Sequence, residues 1–161
     1  MELKLVKPGK YANQVLAAKN VRKELRHHFP GCKFSVTSKS YSGGDSIRVD
    51  WIDGPTEVEV GKFTAKYEAG SFNGMIDLYT HNPSEFNNLY GGTKYLFLQR
   101  DYSIEQEVKM LDKICLDRGV KVKATVCDGW LQVENVMIDD VWASQYLRRE
   151  LYKTSFYEVN K

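Results

Sequence analysis

The chain has 161 residues, 42% of them hydrophobic and 12% aromatic, which is enough for one compact core or two small halves and excludes a disordered chain. Its apolar runs stop at three or four residues, Met1-Glu2-Leu3-Lys4-Leu5 carries charges where a signal peptide is apolar, and Cys32, Cys115 and Cys127 cannot make a disulfide framework, so a cytoplasmic protein with no membrane span is expected. The net charge of +2 is a sum of opposites: Met1 to Lys39 holds nine cations and two anions, a local +7 against −5 in the remaining 122 residues, and it is the local field that attracts phosphates.

Tyr11, Val15, Ala18, Val21, Leu25 and Phe29 recur at spacings of three and four, which predicts an amphipathic helix from about 11 to 29. Pro30-Gly31 ends it, because proline disfavours helical geometry in the residue before it and glycine takes a left-handed cap. Phe34 and Val36 then alternate with polar residues between Lys33 and Lys39. Gly43-Gly44 turns the chain, and Ile47, Val49 and Trp51 alternate with Arg48 and Asp50, completing an antiparallel hairpin. Asp53-Gly54-Pro55-Thr56 breaks the pattern, and Asp53 or Thr56 caps a helix running to about Tyr67 over Val60 and Phe63.

An irregular polar segment, His81-Asn82-Pro83-Ser84 to Gly91-Gly92-Thr93, leads to a strand at Tyr95-Leu96-Phe97-Leu98. Ile104, Val108, Leu111 and Cys115 define a helix from Ser103 to Arg118 that Gly119 closes. Val120, Val122, Ala124 and Val126 alternate with Lys121, Lys123 and Thr125, and Cys127-Asp128-Gly129 turns the chain back into Leu131 and Val133. Asp139 or Asp140 caps a last helix over Val141, Tyr146 or Leu147, and Leu151. The halves 1–82 and 83–161 thus both read helix, strand, turn, strand, helix. Ile47, Val49, Phe63, Tyr67, Ser71 and Phe72 recur 84 positions on as Leu131, Val133, Leu147, Leu151, Ser155 and Phe156; an internal duplication and two units alike by chance both fit so slight an identity. Helices with one apolar stripe and strands with one apolar face are buried together when the helices cover one side of an antiparallel sheet, an α+β architecture with the halves packed as one unit.

The other side of that sheet is the informative one. With Phe34, Val36, Ile47, Val49 and Trp51 inward, alternation turns Lys33, Ser35, Thr37, Lys39, Arg48 and Asp50 outward together, with Lys121, Lys123, Trp130 and Gln132 on the corresponding face of the later hairpin. Cations and hydroxyls on an open sheet suit single-stranded nucleic acid, although the face so composed lacks the paired exposed aromatics of the common RNA-recognition sheet. On the first helix Lys19, Lys23 and Arg26 share one stripe, with Arg22 at its edge. Lys39-Ser40-Tyr41-Ser42-Gly43-Gly44-Asp45-Ser46 offers glycines that free main-chain amides for an anion and several hydroxyl donors, without the Gly-Lys-Ser/Thr ending of a phosphate loop. A solvated face, a solubilising helix and a generous hairpin loop are the ordinary readings of the same features. His27, His28 and Cys32 lack metal-ligand spacing, Asp50, Asp53, Glu57 and Asp77 lack acid–base spacing, and no hydrolase, zincin or Cys-x-x-Cys motif occurs, so no metal, cofactor or enzyme activity is expected.

The run Phe29-Pro30-Gly31-Cys32-Lys33-Phe34-Ser35-Val36-Thr37-Ser38-Lys39-Ser40-Tyr41-Ser42-Gly43-Gly44-Asp45-Ser46, its continuation Ile47-Arg48-Val49-Asp50-Trp51-Ile52-Asp53-Gly54-Pro55-Thr56, and Gly70-Ser71-Phe72-Asn73-Gly74-Met75-Ile76-Asp77-Leu78-Tyr79 together resemble the twenty-ninth family of large polyvalent-protein-associated domains. The resemblance covers about Asn13 to Thr80 and finds no counterpart after Pro83. It implies genomic company more than chemistry: such domains occur in proteins of phages, conjugative plasmids and other mobile elements, with protection of incoming DNA or countering of host defences as the implied roles, and no catalytic residues carry over.

With that resemblance, the expected function is that of a non-enzymatic binding protein of a mobile element. It would hold nucleic acid or a host nucleoprotein through Lys19, Arg22, Lys23, Arg26, Lys33, Lys39, Ser40, Tyr41, Ser42, Gly43, Gly44 and Arg48. The alternative is a protein–protein inhibitor or adaptor acting on a host restriction or CRISPR component. The sequence leaves the oligomeric state open.

Overall fold

The computed structural model describes residues 3–7, 13–73, 75 and 78–157. The chain forms two units, Met1–Trp51 with Glu57–Gln99, and Ile52–Thr56 with Arg100–Lys161.

In the first unit, helix α1 (Gln14–His28) begins where the Asn13 side chain accepts from the main-chain N–H of Val15 and Leu16, a cap that satisfies donors left over at the helix start. Tyr11, which the periodicity assigns to this helix, lies outside the described residues. Ala18, Val21 and Leu25 of the predicted stripe are buried together with Leu16 and Ala17, while Val15 is exposed. Asn20 is buried on the same side because its amide is fully used: it accepts from Val6 N–H at 2.7 Å and donates to the carbonyls of Val6 at 2.9 Å and Tyr90 at 2.8 Å.

Strands β1 (Phe34–Tyr41) and β2 (Gly44–Ile52) pair antiparallel, with Phe34 opposite Trp51, Val36 opposite Val49 and Tyr41 opposite Gly44. Only Ser42 and Gly43 remain to make the turn, so the strands reach further than the alternation predicts. Helix α2 (Glu57–Thr64) tightens into a 3-10 turn at Ala65–Tyr67. Strands β3 (Gly70–Asn73) and β4 (Leu78–His81) make a second antiparallel hairpin. Within the stretch the sequence presents as irregular stands the short helix α3 (Glu85–Tyr90), closed at its start by a reciprocal Ser84–Asn87 capping box. Strand β5 (Tyr95–Asp101) then joins β2 on the side away from β1, giving the order β1-β2-β5. Contacts at both ends set its direction. Asp45 at the start of β2 accepts from Lys94 N–H at 2.7 Å, and Asp53 just past its end donates its N–H to the Asp101 carbonyl at 2.8 Å, so β5 runs the same way as β2.

At the end of α1, His28 stacks on Phe63 with ring centroids 3.8 Å apart. Burial, helped by the neighbouring charges of His27 and Lys66 and opposed by Glu24, lowers its pKa from the usual 6.5. The unfolded chain therefore binds this proton more tightly than the folded one. Its contribution to stability is full above 6.5, falls as the pH drops through 6.5, and levels off once the lower folded pKa is passed. Thermal melts between about pH 5 and 8 should show a shallower decline on acidification for His28→Gln than for the wild type; superimposable profiles would refute this.

The second unit carries α4 (Ile104–Arg118), capped by Ser103 and ended by Gly119 at φ 63°. Strands β6 (Ala124–Cys127) and β7 (Trp130–Val133) follow, joined through the left-handed pair Asp128 (φ 50°) and Gly129 (φ 80°). Lys121 and Lys123 precede β6, and the Lys123 carbonyl accepts from Glu134 N–H at 2.8 Å, carrying the pairing one residue beyond the strands. The sequence assigns Asp139 or Asp140 to a helix cap, and the structure corrects this. Both residues are left-handed, at φ 50° and 60°, and turn the chain between β8 (Met137–Ile138) and β9 (Val141–Trp142). Aspartate tolerates that geometry better than most side chains, and a two-residue hairpin turn of this hand demands it twice. Helix α5 (Ala143–Lys153) starts directly from β9 without a side-chain cap. Met110, Leu111 and Ile114 of α4 pack with Ile138 and with Ala143, Tyr146, Leu147 and Leu151 of α5 in this unit's core. The fold class is α+β; the units share a helix followed by a hairpin and differ in the elements beyond it.

Candidate nucleic-acid interface

Because Val36, Ile47, Val49 and Trp51 are buried, the pleat sends Ser35, Thr37 and Lys39 of β1 and Ser46, Arg48 and Asp50 of β2 to the opposite face, paired Ser35 with Asp50, Thr37 with Arg48 and Lys39 with Ser46. Lys33 lies just ahead of β1. The aromatic pair that this hairpin lacks comes from β5. A Cβ added to Gly61 of α2 would stand 3.8 Å from Leu98 Cδ1, so Leu96 and Leu98 are on the helix side and Tyr95, Phe97 and Gln99 are on the open one. Phe97 is 53% exposed. Its ring lies within 20° of parallel to that of Tyr95, with centroids 6.1 Å apart, and the Lys94 ammonium is 5.2 Å from the Tyr95 ring centre. Three strands thus present hydroxyls, cations and two neighbouring aromatic rings on one face. Tyr95 and Phe97 were visible in the sequence only as half of an apolar run; their alternation with Leu96 and Leu98 is the signal that separates them.

Arg48 Nε donates to Asp50 Oδ1 at 2.6 Å, a surface pair of the kind that opens at little cost. The serine-glycine turn is tied down from the two residues leading into β5. Lys94 Nζ donates to the Gly43 carbonyl at 2.9 Å, and Asp45 Oδ1 accepts from Thr93 Oγ1 at 3.0 Å besides Lys94 N–H. Gly44, at φ 139°, permits this approach, since a Cβ there would stand 2.6 Å from Lys94 Cδ. Ser40, Tyr41 and Ser42 are exposed around it.

The cations of α1 part company. Lys19 is exposed, and Lys23 Nζ turns to the Lys4 carbonyl at 3.2 Å. Arg22 and Arg26, one turn apart, converge instead with Lys33, Cys32 and Phe34 on a cleft of about 250 Å³. Arg22 is held there by donating to the Val36 carbonyl on β1. Burial pushes the Cys32 thiol above its usual pKa and so keeps it protonated. Of the carboxylates in the acid–base reckoning, Asp50 is engaged by Arg48 and Asp53 accepts from Ser103 N–H at 2.9 Å, while Asp77 lies outside the described residues. No helix among the described residues is long and apolar enough to cross a membrane.

No curated protein and no solved structure matches the chain. The family model described as Large polyvalent protein associated domain 29 matches residues 12–103. That match extends well past the resemblance ending near Thr80 and takes in β5, so Tyr95 and Phe97 stand inside it together with the cleft and the hairpin. It spans more than half of the sequence, and the chain belongs to the Large polyvalent protein associated domain 29 family.

Proposed function

We propose that the chain is a single-stranded nucleic-acid-binding protein of a mobile genetic element, with the open face of β1, β2 and β5 as its binding surface. The mobile-element context is supported by the family; the binding mode rests on the nearly parallel pair of the half-buried Tyr95 and the exposed Phe97 beside the strand of Arg48. Bases stack on the two rings, Lys39 and Arg48 meet the phosphates, and the hydroxyls of Ser35, Thr37 and Ser46 bond to sugars or base edges. Three strands at about 4.8 Å spacing make a platform for two or three nucleotides. A duplex does not fit this chemistry, because its bases already stack on one another.

Fluorescence anisotropy with labelled DNA and RNA oligonucleotides, single-stranded and duplex, tests the proposal. Single strands should bind better than duplexes. Phe97→Ala should weaken binding by roughly ten- to a hundredfold, because base–aromatic stacking is worth about 1–3 kcal/mol; its exposed ring leaves the core intact, which circular dichroism checks. Lys39→Ala with Arg48→Ala should flatten the salt dependence by about two phosphate contacts. No binding at low salt, a preference for duplex, or full affinity in Phe97→Ala would each reject it.

A further inference from the structure

We infer that the cleft between α1 and the start of β1 is a phosphomonoester site, and that it takes the terminal phosphate of a strand lying on the sheet; the second statement rests on the function proposed above, the first does not.

The cleft arises from the chain reversal after α1. Pro30-Gly31, with Gly31 at φ 93° and Cys32 N–H donating to the Phe29 carbonyl at 3.2 Å, brings Lys33 back alongside the helix stripe that carries Arg22 and Arg26. Three cations then line one concavity with no carboxylate in its wall, and among the described residues none of the three has an acidic partner within ion-pair distance. Their mutual repulsion is relieved by an anion. Arg22 spends one of its five donors on the Val36 carbonyl, which fixes the guanidinium and leaves its remaining donors for a ligand. The Phe34 ring, packed by Phe29 at 6.0 Å and Trp51 at 5.6 Å between centroids, forms a fixed apolar side suited to a sugar.

Two quantities narrow the ligand. A phosphomonoester carries a charge of about −1.5 to −2 near neutral pH, against a single charge on a diester inside a strand, and three converging cations match the larger value. The volume of about 250 Å³ is below the roughly 300–1,000 Å³ of sites for drug-sized ligands, so it admits a phosphate and its sugar rather than a longer segment. The neutral Cys32 thiol adds no repelling charge. The position fits as well: Arg22 grips the Val36 carbonyl of β1, the outer strand of the sheet, so a strand that crosses from the rings of β5 over Arg48 and its β1 partner Thr37 leaves the platform beside the residue that Arg22 holds.

The test has two arms, both on the full chain. In the first, inorganic phosphate is titrated into labelled protein and followed by nuclear magnetic resonance. Saturable shifts at Arg26, Cys32 and Lys33 are expected, and Arg26→Gln with Lys33→Gln should abolish them; no saturable shift overturns the site. In the second, oligonucleotides of one sequence ending in a 5′-phosphate, a 3′-phosphate or hydroxyls only are compared by anisotropy. One phosphorylated end should bind about tenfold more tightly, the scale of one charge-assisted contact. The double variant should lose that preference while still binding the hydroxyl-ended strand. Equal affinity for all three overturns the terminal-phosphate assignment, whereas phosphate shifts without any oligonucleotide binding uphold the cleft and reject the sheet as a binding face.

Discussion

Arg100→Met should destabilise the protein by about 4 kcal/mol, within the range for breaking a buried charged network. Arg100 is 4% exposed. Its Nε donates to the Asp53 carbonyl at 3.0 Å and its Nη2 to the Gly54 carbonyl at 2.9 Å, while Nη1 donates to the carbonyls of Thr154 at 3.0 Å and Leu151 at 3.3 Å. The guanidinium carbon lies 4.9 Å from the Tyr102 ring centre and 5.0 Å from that of Phe156. One planar fork thus ties the turn after β2 to the end of α5, where the helix dipole is negative and favours a cation. Methionine fills similar space and supplies no donor, leaving four carbonyls without these bonds. Arg100→Lys keeps the charge but gathers its donors on one atom, and should recover less than half of the loss. Urea denaturation followed by circular dichroism measures both variants, with faster hydrogen exchange in the last turn of α5 as the local sign; a loss under about 1 kcal/mol would show that the network is dispensable.

Glu24→Ala should cost about 3 kcal/mol, chiefly through what it leaves unpaired. Glu24 is fully buried. Its Oε1 accepts from the Tyr67 hydroxyl at 2.9 Å and pairs with Lys66 Nζ at 2.7 Å, while Oε2 has no hydrogen-bond partner among the described residues. Burial, with the Glu24 charge and hydrogen bond adding to it, pushes the Tyr67 hydroxyl far above its usual pKa, so it stays a neutral donor. Alanine strands that hydroxyl in the core and opens a cavity. Replacing both partners, Glu24→Leu with Tyr67→Phe, should restore much of the stability, since an apolar pair leaves nothing unsatisfied. Tryptophan fluorescence in urea is a suitable readout, because Trp51 is buried in the same unit whereas Trp130 is 73% exposed. If Glu24→Ala unfolds at the wild-type midpoint, or the double variant is no better than the single one, the account fails.

The elements that sequence periodicity located are those whose burial is decided locally. Ala18, Val21 and Leu25 mark α1 by their spacing, and the alternation through Val36 and Val49 set both the hairpin and its open face. Glu24 was within reach too, since a residue between Val21 and Leu25 falls on the buried side of a helix, but charge in a sequence is ordinarily a sign of exposure. The aromatic platform was not legible, because β5 is placed by contacts such as Asp45 to Lys94, 49 residues apart, which no local pattern encodes. Nor was the cleft: Arg22, Arg26 and Lys33 were each candidates, yet their convergence depends on the path of the reversal at Pro30-Gly31. Helix α3 is too short for a period to show, and at Asp139-Asp140 one residue type serves equally as helix cap and left-handed turn, a tie broken by Met137 pairing with Trp142.

Ile52–Thr56 belong to the second unit although the residues on both sides of them belong to the first. No single cut in the main chain therefore releases either unit whole. Recombination that moved residues 12–103 as a block would carry off Asp53, Gly54 and Arg100 and leave behind Leu151, Thr154 and Phe156. Such a segment is portable between longer proteins only where the new neighbour offers fresh carbonyl acceptors to residue 100, or where that arginine has been exchanged. In this chain the portability of the matched stretch is thus constrained at one buried side chain near its end.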